Sequence, residues 1–481
     1  MEKLLNIIKE HRGICLIDEK DGEISYPFLV NLVQENVEVL SRCQLQSKHN
    51  QSVAIVDTTI GWRCIPIILA LLIRKITIIP VDSYHSPGQT NRLIKEFDGA
   101  LLINSKSMGE AGVVDYEKIN SSAIDYFKEL EEVAFILYTS GTTGNPKGVM
   151  LTYFNIWSNV QGILEYFNLK KTDRICIIRS LTNASAITGE LLPSILTGSS
   201  IYLKNPMQSP LSIPRIIKQY SISILCTTPS VLMNLIPIFK RYNLNNLHSI
   251  VLSGECLKNE QLLSIKAAFP EIKLMNSYGL TEASPRVSCC IENLHEYGAN
   301  CVGRPLSDVQ VQVIKKDGYI CQEGEVGELI VSGPNIMKGY FRNPYETQNK
   351  IKKGWLHTSD KGMIKNGLIY ILGRSDEMII RSGMNVFPSE IENHLLCHPN
   401  VKEALVFGVS DSKIGQKIIA WVVLKDKNIQ TNRKDLYQHF IKSASDARIW
   451  PNIIEVKQDL PKTVTGKMSR RHEKGDGNDG R

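Results

Sequence analysis

A chain of 481 residues is too long for a single hydrophobic core, so two or three domains are expected. Hydrophobic residues at 43% and charged residues at 22% give the balance of an ordinary soluble globular protein. The net charge of +7 is mild for this length, and no stretch clusters Lys and Arg with interleaved aromatics, so nucleic-acid binding is disfavoured and anionic small molecules are favoured only weakly. The eleven cysteines are scattered without a Cys-x-x-Cys pair, and only Cys289 and Cys290 are adjacent. With no signal peptide ahead of them, reduced thiols in the cytoplasm are the expectation.

The most apolar stretch, residues 65–73, ends at Arg74 and Lys75. It falls far short of the ~18 to 20 residues a membrane helix requires and is expected as a buried helix leading into a strand at 76–80. A second apolar run, 133–137, is expected as a strand. It leads into Tyr138-Thr139-Ser140-Gly141-Thr142-Thr143-Gly144-Asn145-Pro146-Lys147-Gly148-Val149-Met150. Hydroxyls and closely spaced glycines let backbone and side-chain donors surround a polyphosphate, and Lys147 adds a mobile positive charge. The spacing fails the Walker pattern, since no Ser or Thr follows the lysine, so a different nucleotide-binding device is indicated. A plain solvated turn between a strand and a helix is the competing reading, and the length and bias of the stretch argue against it.

Alternating strands and helices follow at 222–226, 229–241, 249–252, 257–268 and 273–277. This βαβ rhythm predicts an α/β fold with mostly parallel sheets covered by helices. After Arg374 the pattern changes to a helix at 390–396, strands at 404–409 and 418–424, a helix from Arg433 and a strand at 453–456, a small α+β domain. The expected division is a large domain over 1–374, a small one over 375–471 and a disordered tail over 472–481. The origin of that tail stays open between native sequence, truncation and frameshift.

Four further strings carry chemistry: Asn276-Ser277-Tyr278-Gly279-Leu280-Thr281-Glu282, Gly354 to Thr358-Ser359-Asp360, Gly373-Arg374-Ser375-Asp376, and Pro461-Lys462-Thr463 to Gly466-Lys467. Taken alone, Tyr278 is a core aromatic, Asp360 a turn or cap residue, and Arg374 and Lys467 solvated charges. Taken together with the loop at 138–150, in this order and at these intervals, they resemble the adenylate-forming (AMP-binding) superfamily of acyl-CoA synthetases, stand-alone adenylation domains and luciferases. Softer matches at 327–340, 382–390 and 398–401 extend the resemblance over roughly residues 20 to 471.

The chemistry implied by this resemblance is carboxylate activation. A carboxylate oxygen attacks the α-phosphate of ATP, pyrophosphate leaves, and a thiol intercepts the acyl-adenylate. Such transfers need positioning and charge neutralisation more than covalent help. By the resemblance, Thr139, Ser140, Gly141, Thr142, Thr143, Gly144 and Lys147 hold the β- and γ-phosphates, and Glu282 offers an oxygen ligand to Mg²⁺. Thr281 donates to the α-phosphate, Tyr278 stacks on adenine, and Asp360 accepts the ribose hydroxyls with help from Arg374. Lys467 reaches in from the small domain to neutralise charge between carboxylate and α-phosphate. Asp376 takes the hinge position about which the small domain swings from an adenylation to a thiolation pose, the latter bringing the loop at Ser382 and Gly383 to the site.

Three departures limit the reading. Asn183 stands where many acyl- and aryl-CoA synthetases carry a histidine. Ser185 stands where amino-acid-adenylating domains place an aspartate, so ordinary α-amino acids are disfavoured, because an unpaired buried ammonium is costly. The chain also ends fourteen residues after Lys467. The acid pocket is expected around Asn183, Ser185, Gly254, Glu255 and Gly279, with Arg286 either pairing a second carboxylate or, preferentially, facing solvent. The leading expectation is an acyl-CoA synthetase-like ligase using ATP, Mg²⁺ and CoA. The alternative is a stand-alone adenylation enzyme that loads the phosphopantetheine of a separate carrier protein. Lys147, Glu282 and Lys467 argue against a non-catalytic nucleotide-binding relative, and a luciferase-type oxidase ranks lowest. The identity of the acid and the oligomeric state are left open.

Overall fold

The computed structural model describes residues 2–42, 53–97, 100–107, 113–114, 129–139, 146–204, 208–242, 244–374, 377–381, 384–411, 414–426, 431–444 and 449–461. Among the described residues three sheets, of 14, 6 and 5 strands, organise the chain. In the first, Ser200–Leu203, Arg174–Ile177, Ile224–Thr227, Ser249–Ser253 and Lys273–Gly279 lie side by side and parallel. Ile224–Thr227 and Ser249–Ser253 are buried at every position, as strands covered on both faces must be. Helices Ile213–Gln219, Pro229–Phe239 and Asn259–Ala268 make the crossovers between them.

Beyond Gly279 the same sheet continues antiparallel, through Arg286–Cys290, Cys301–Pro305, Leu368–Arg374, Trp355–Lys365, Gly327–Ser332 and Gln310–Ile314. This half lay outside the βαβ rhythm seen in the sequence. Its physical mark is alternation: along most of Trp355–Lys365 every second residue is buried, the pattern of a strand with one wet face.

The second sheet runs Gly339–Tyr340, Lys147–Thr152, Val133–Thr139, Thr77–Val81, Val53–Asp57 and Leu101–Ile103. Helix Cys64–Ile73 feeds its strand Thr77–Val81 and is buried from Cys64 through Leu72, which explains its apolarity on all sides. Among the described residues no helix is long and apolar enough to cross a membrane. Helix Tyr153–Phe167 starts at a reciprocal cap, in which Thr152 Oγ1 accepts from Asn155 N at 3.1 Å and Asn155 Oδ1 accepts from Thr152 N at 2.8 Å.

The last strand of the large sheet ends at Arg374, and the small sheet begins with Ile379–Arg381. The small sheet adds Met384–Val386, Gly415–Leu424, Val401–Asp411 and Ile453–Val456. Helices Pro388–Leu396 and Arg433–Ser443 cover it through Ile391, Leu395, Leu436 and Phe440. Large and small parts meet where Asn259–Ala268 faces Pro388–Leu396. Lys258 Nζ reaches Glu392 Oε2 at 3.2 Å, and Cys397 Sγ donates to Glu260 Oε1 at 2.8 Å. The Glu392 side chain is 4% exposed and also accepts from Val406 N, so a buried carboxylate of the small part is neutralised by a cation of the large one.

Lys258→Met should therefore weaken this docking by about 1–3 kcal/mol. Native-state proteolysis between Arg374 and Ile379 is expected to accelerate; an unchanged cleavage rate would show that the pair does not hold the two parts together.

Candidate functional site

Strands Val133–Thr139 and Lys147–Thr152 pair antiparallel with Thr139 opposite Lys147, so the chain at Lys147 is a second strand and not the start of a helix. Ser140, Gly141, Thr142, Thr143 and Gly144 lie outside the described residues. Thr139 Oγ1 meets the Lys147 carbonyl at 3.5 Å. The Lys147 ammonium is held 2.7 Å from Glu346 Oε2 and 5.4 Å from the centre of the Tyr340 ring. Tyr340, on the edge strand beside Val149 and Met150, donates to Glu282 Oε1 at 2.7 Å. Burial, and then the Glu282 carboxylate, push its phenol upward, so Tyr340 remains a protonated donor. Lys147 and Glu282, far apart in sequence, thus meet across one aromatic ring.

Thr281 and Glu282 sit in a single tight turn, Thr281–Ala283, between strands Lys273–Gly279 and Arg286–Cys290. Side-chain amides and hydroxyls fasten that turn from several sides. Asn335 Nδ2 donates to the Ala283 carbonyl at 2.9 Å, Thr188 Oγ1 to the Ser284 carbonyl at 2.7 Å, and Asn159 Nδ2 to the Arg286 carbonyl at 2.7 Å. Met337 N donates to the Glu282 carbonyl at 2.9 Å. The second carboxylate oxygen of Glu282 carries no hydrogen bond among the described residues, and no cluster of three or more His, Cys, Asp and Glu able to hold a metal is found among them. Such a single-carboxylate donor suits a hard cation that takes its remaining ligands from phosphate and water, which is the habit of Mg²⁺.

Asp360 and Arg374 are cross-strand partners, with Arg374 Nη1 3.5 Å from Asp360 Oδ1. The Tyr278 hydroxyl donates to Asp360 Oδ2. Burial and the Asp360 charge hold the Tyr278 phenol well above its ordinary range, so the expected stacking platform is also a fixed donor. Lys350 completes this side, donating to the Thr358 carbonyl and to Ser359 Oγ, both at 3.2 Å; burial lowers its pKa. The structure therefore brings Tyr278, Thr281, Glu282, Asp360, Arg374, Thr139 and Lys147 together where the two larger sheets meet through Tyr340 and Glu282. Asp376, Ser382, Gly383 and Lys467 lie outside the described residues.

Around the expected acid pocket, Asn183 Oδ1 accepts from Ser185 N at 2.9 Å and caps Ala184–Ala186, which passes into a wider π-type turn over Ile187–Leu191. Gly254 adopts φ +88°, a left-handed conformation suited to glycine. Glu255 is tied to Ser230, accepting from its N at 3.1 Å and its Oγ at 2.9 Å. Arg286 departs from expectation. Instead of facing solvent it is 1% exposed, on a strand buried throughout, with its guanidinium filling the space above Gly189. Sequence reasoning also missed Glu346, Lys350, Arg179 and Glu190. Arg179 donates to Ser253 Oγ at 2.6 Å and pairs with the fully buried Glu190. None of these four lies in a motif, and no local signal marks them.

Residues 14–341 match the family described as AMP-binding enzyme, and residues 390–467 match the AMP-binding enzyme C-terminal domain. A long-chain-fatty-acid–CoA ligase of Bacillus subtilis is 32% identical over 84% of this chain and 72% of its own length. A 2-succinylbenzoate–CoA ligase of Bacillus cytotoxicus is 31% identical over 95% of this chain and 94% of its own length. The structure of O-succinylbenzoate coenzyme A synthetase from Bacillus subtilis in complex with ATP and magnesium ion superposes with a TM-score of 0.79, covering 97% of each chain at 23% identity, a likeness of fold.

A Cβ at Gly279 would stand 2.0 Å from the Pro285 carbonyl oxygen, which also accepts from Leu280 N. Gly279→Ala should thus displace the turn that carries Thr281 and Glu282 and cost about 1–3 kcal/mol. Chemical denaturation measures this; an unfolding midpoint equal to that of the parent chain would contradict the close approach.

Proposed function

The chain belongs to the AMP-binding enzyme family, and on that premise we propose that it is an AMP-forming acid–thiol ligase acting on a small carboxylic acid, ATP and CoA. In the first half-reaction a carboxylate oxygen attacks the α-phosphorus of ATP, the bond to the β-phosphate breaks, and pyrophosphate leaves. In the second, the CoA thiolate attacks the acyl carbon, the bond to AMP breaks, and AMP departs with the electron pair. The observation that carries this reading is the meeting of Lys147 and Glu282 across Tyr340, beside the Tyr278, Asp360 and Arg374 cluster. One group provides a cation and a hard carboxylate for a polyphosphate, and the other a carboxylate acceptor for a ribose. The CoA ligases among the relatives support CoA as the thiol.

Each side chain then has a task. Lys147 exchanges its Glu346 partner for the β- and γ-phosphates, held with Thr139, Ser140, Gly141, Thr142, Thr143 and Gly144. Glu282 would hold Mg²⁺, and the ion would supply charge neutralisation for the pyrophosphate leaving group. Thr281 donates to the α-phosphate, Tyr278 flanks the adenine, and Asp360, steadied by Arg374, orients the ribose. Residues 1–374 act as the nucleotide-binding domain and 375–471 as a mobile one turning about Asp376. Lys467 neutralises charge in the adenylation pose and withdraws for thiolation, leaving one site for two reactions. The reading places the chain in the cytoplasm, where scattered cysteines stay reduced.

ATP–pyrophosphate exchange with Mg²⁺ across fatty, aryl, hydroxy and amino acids tests the first half-reaction. Thioester formation with CoA, or with a phosphopantetheinylated carrier protein in a parallel arm, tests the second. Lys467→Ala is expected to lower exchange by about a hundredfold to a thousandfold while sparing thioester formation from a supplied acyl-adenylate. Equal loss in both halves would remove Lys467 from this role, and absence of exchange with every acid would overturn the adenylation reading.

The hinge carries its own test. Asp376→Pro fixes φ at the pivot and should keep exchange while impairing thioester formation. Full thioester output from that variant would contradict a rotation about Asp376.

A further inference from the structure

Among the described residues Arg286 is the largest of the fully buried side chains, 1% exposed, and its Nε finds no hydrogen-bond partner among them. Around it lie the Tyr166 phenol, the Cys289 thiol and one carboxylate, Glu190, itself 0% exposed, whose Oε1 is taken by Arg179. The thiol of Cys226 lies in the field of Glu190, Arg179 and Arg286. Only Arg179 pairs with Glu190, whose Oε2 carries no hydrogen bond, and no carboxylate oxygen of the described residues lies within ion-pairing distance of Arg286. A buried cation short of an anion is costly, and a fork of donors is matched best by a planar carboxylate.

The position of this cation gives it a use. A Cβ built on Gly189 would stand 2.9 Å from Arg286 Nη2 and 3.9 Å from Ser185 Cβ. The guanidinium thus lies over bare helix backbone next to Ser185, which is half-buried and stands in the expected acid pocket. An alkyl tail entering past Ser185 would meet this guanidinium.

We infer that Arg286 determines which acid is taken: it pairs with a second carboxylate at the far end of a short acid and closes the site to long unbranched alkyl chains. This rests on the acid–thiol ligase reading and narrows its substrate class. A purely structural arginine would hold the strand in place without distinguishing one acid from another.

The test uses ATP–pyrophosphate exchange by the full chain with acids matched in length and shape, each offered with a distal carboxylate and with a methyl group in its place, alongside long-chain fatty acids. The parent chain is expected to favour the dicarboxylic member of each pair by about a hundredfold in kcat/KM, with long-chain acids poorest. Arg286→Met should bring the diacid-to-monoacid ratio toward one, chiefly through KM, and Arg286→Lys should retain part of it. Equal use of both members by the parent chain overturns the inference, as does a ratio that survives in Arg286→Met. If Arg286→Met does not fold, the ratio in the parent chain decides alone. Silence with every acid overturns the ligase reading itself, an outcome distinct from exchange with monoacids only.

Discussion

Everything at the site hangs on the bend after Tyr278, where the large sheet changes from parallel to antiparallel. The backbone at Gly279 passes so close to Pro285 that no side chain fits between them, and the segment returning from that contact carries Thr281, Glu282 and Arg286. Tyr278 lies just before it, bonded to Asp360 on a strand of the antiparallel half. One close approach thus sets the separation of the nucleotide-facing groups from the buried arginine. Amide side chains from 159 and 335 and the hydroxyl of 188 hold the same segment through its carbonyls, so its shape is over-determined before any ligand arrives.

Electrostatics follow a common plan. Lys147 lies against Glu346, Arg374 against Asp360, and Arg179 against Glu190. Each cation is aimed by a carboxylate rather than left to sample solvent, which lowers the reorganisation needed when a phosphate or carboxylate ligand replaces or joins that partner. Tyr340 adds to this, since Lys147 lies against its ring and Glu282 accepts from its hydroxyl, so one side chain orients both groups.

The parallel half of the fold was legible because its strands are short apolar runs followed by helices with clear starts, such as Pro229–Phe239 behind its Thr228 cap. Edges moved by a residue or two: the expected strand at 222–226 is observed as Ile224–Thr227. The antiparallel half was harder, because its strands alternate wet and buried faces and contain the very motifs that drew attention as loops. Motif residues such as Tyr278 and Asp360 could be singled out from order and spacing, but not their mutual hydrogen bond. Lys147 and Glu346 are 199 positions apart, and no local pattern pairs them. Long-range pairing is a property of the fold, and for these groups only the fold supplies it.

Arg286 shows where a one-dimensional reading fails most instructively. In the sequence it follows a turn and precedes a run of small residues, a setting in which a charged side chain ordinarily faces water. In the fold it starts a strand buried throughout, and the missing side chain of Gly189, on a different element, provides the space for its guanidinium. Overall likeness cannot decide the acid, because relatives named for a long-chain fatty acid and for 2-succinylbenzoate lie within one percentage point of identity, at 32% and 31%. A buried positive charge short of a partner can decide it, since it separates a tail that brings an anion from one that brings only methylenes by far more than shape alone. One methylene gained or lost in an apolar pocket is worth about 1–3 kcal/mol, whereas leaving a buried charge unpaired costs about 2–5 kcal/mol. On the inference drawn for Arg286, specificity at this site is governed by charge first and by volume second.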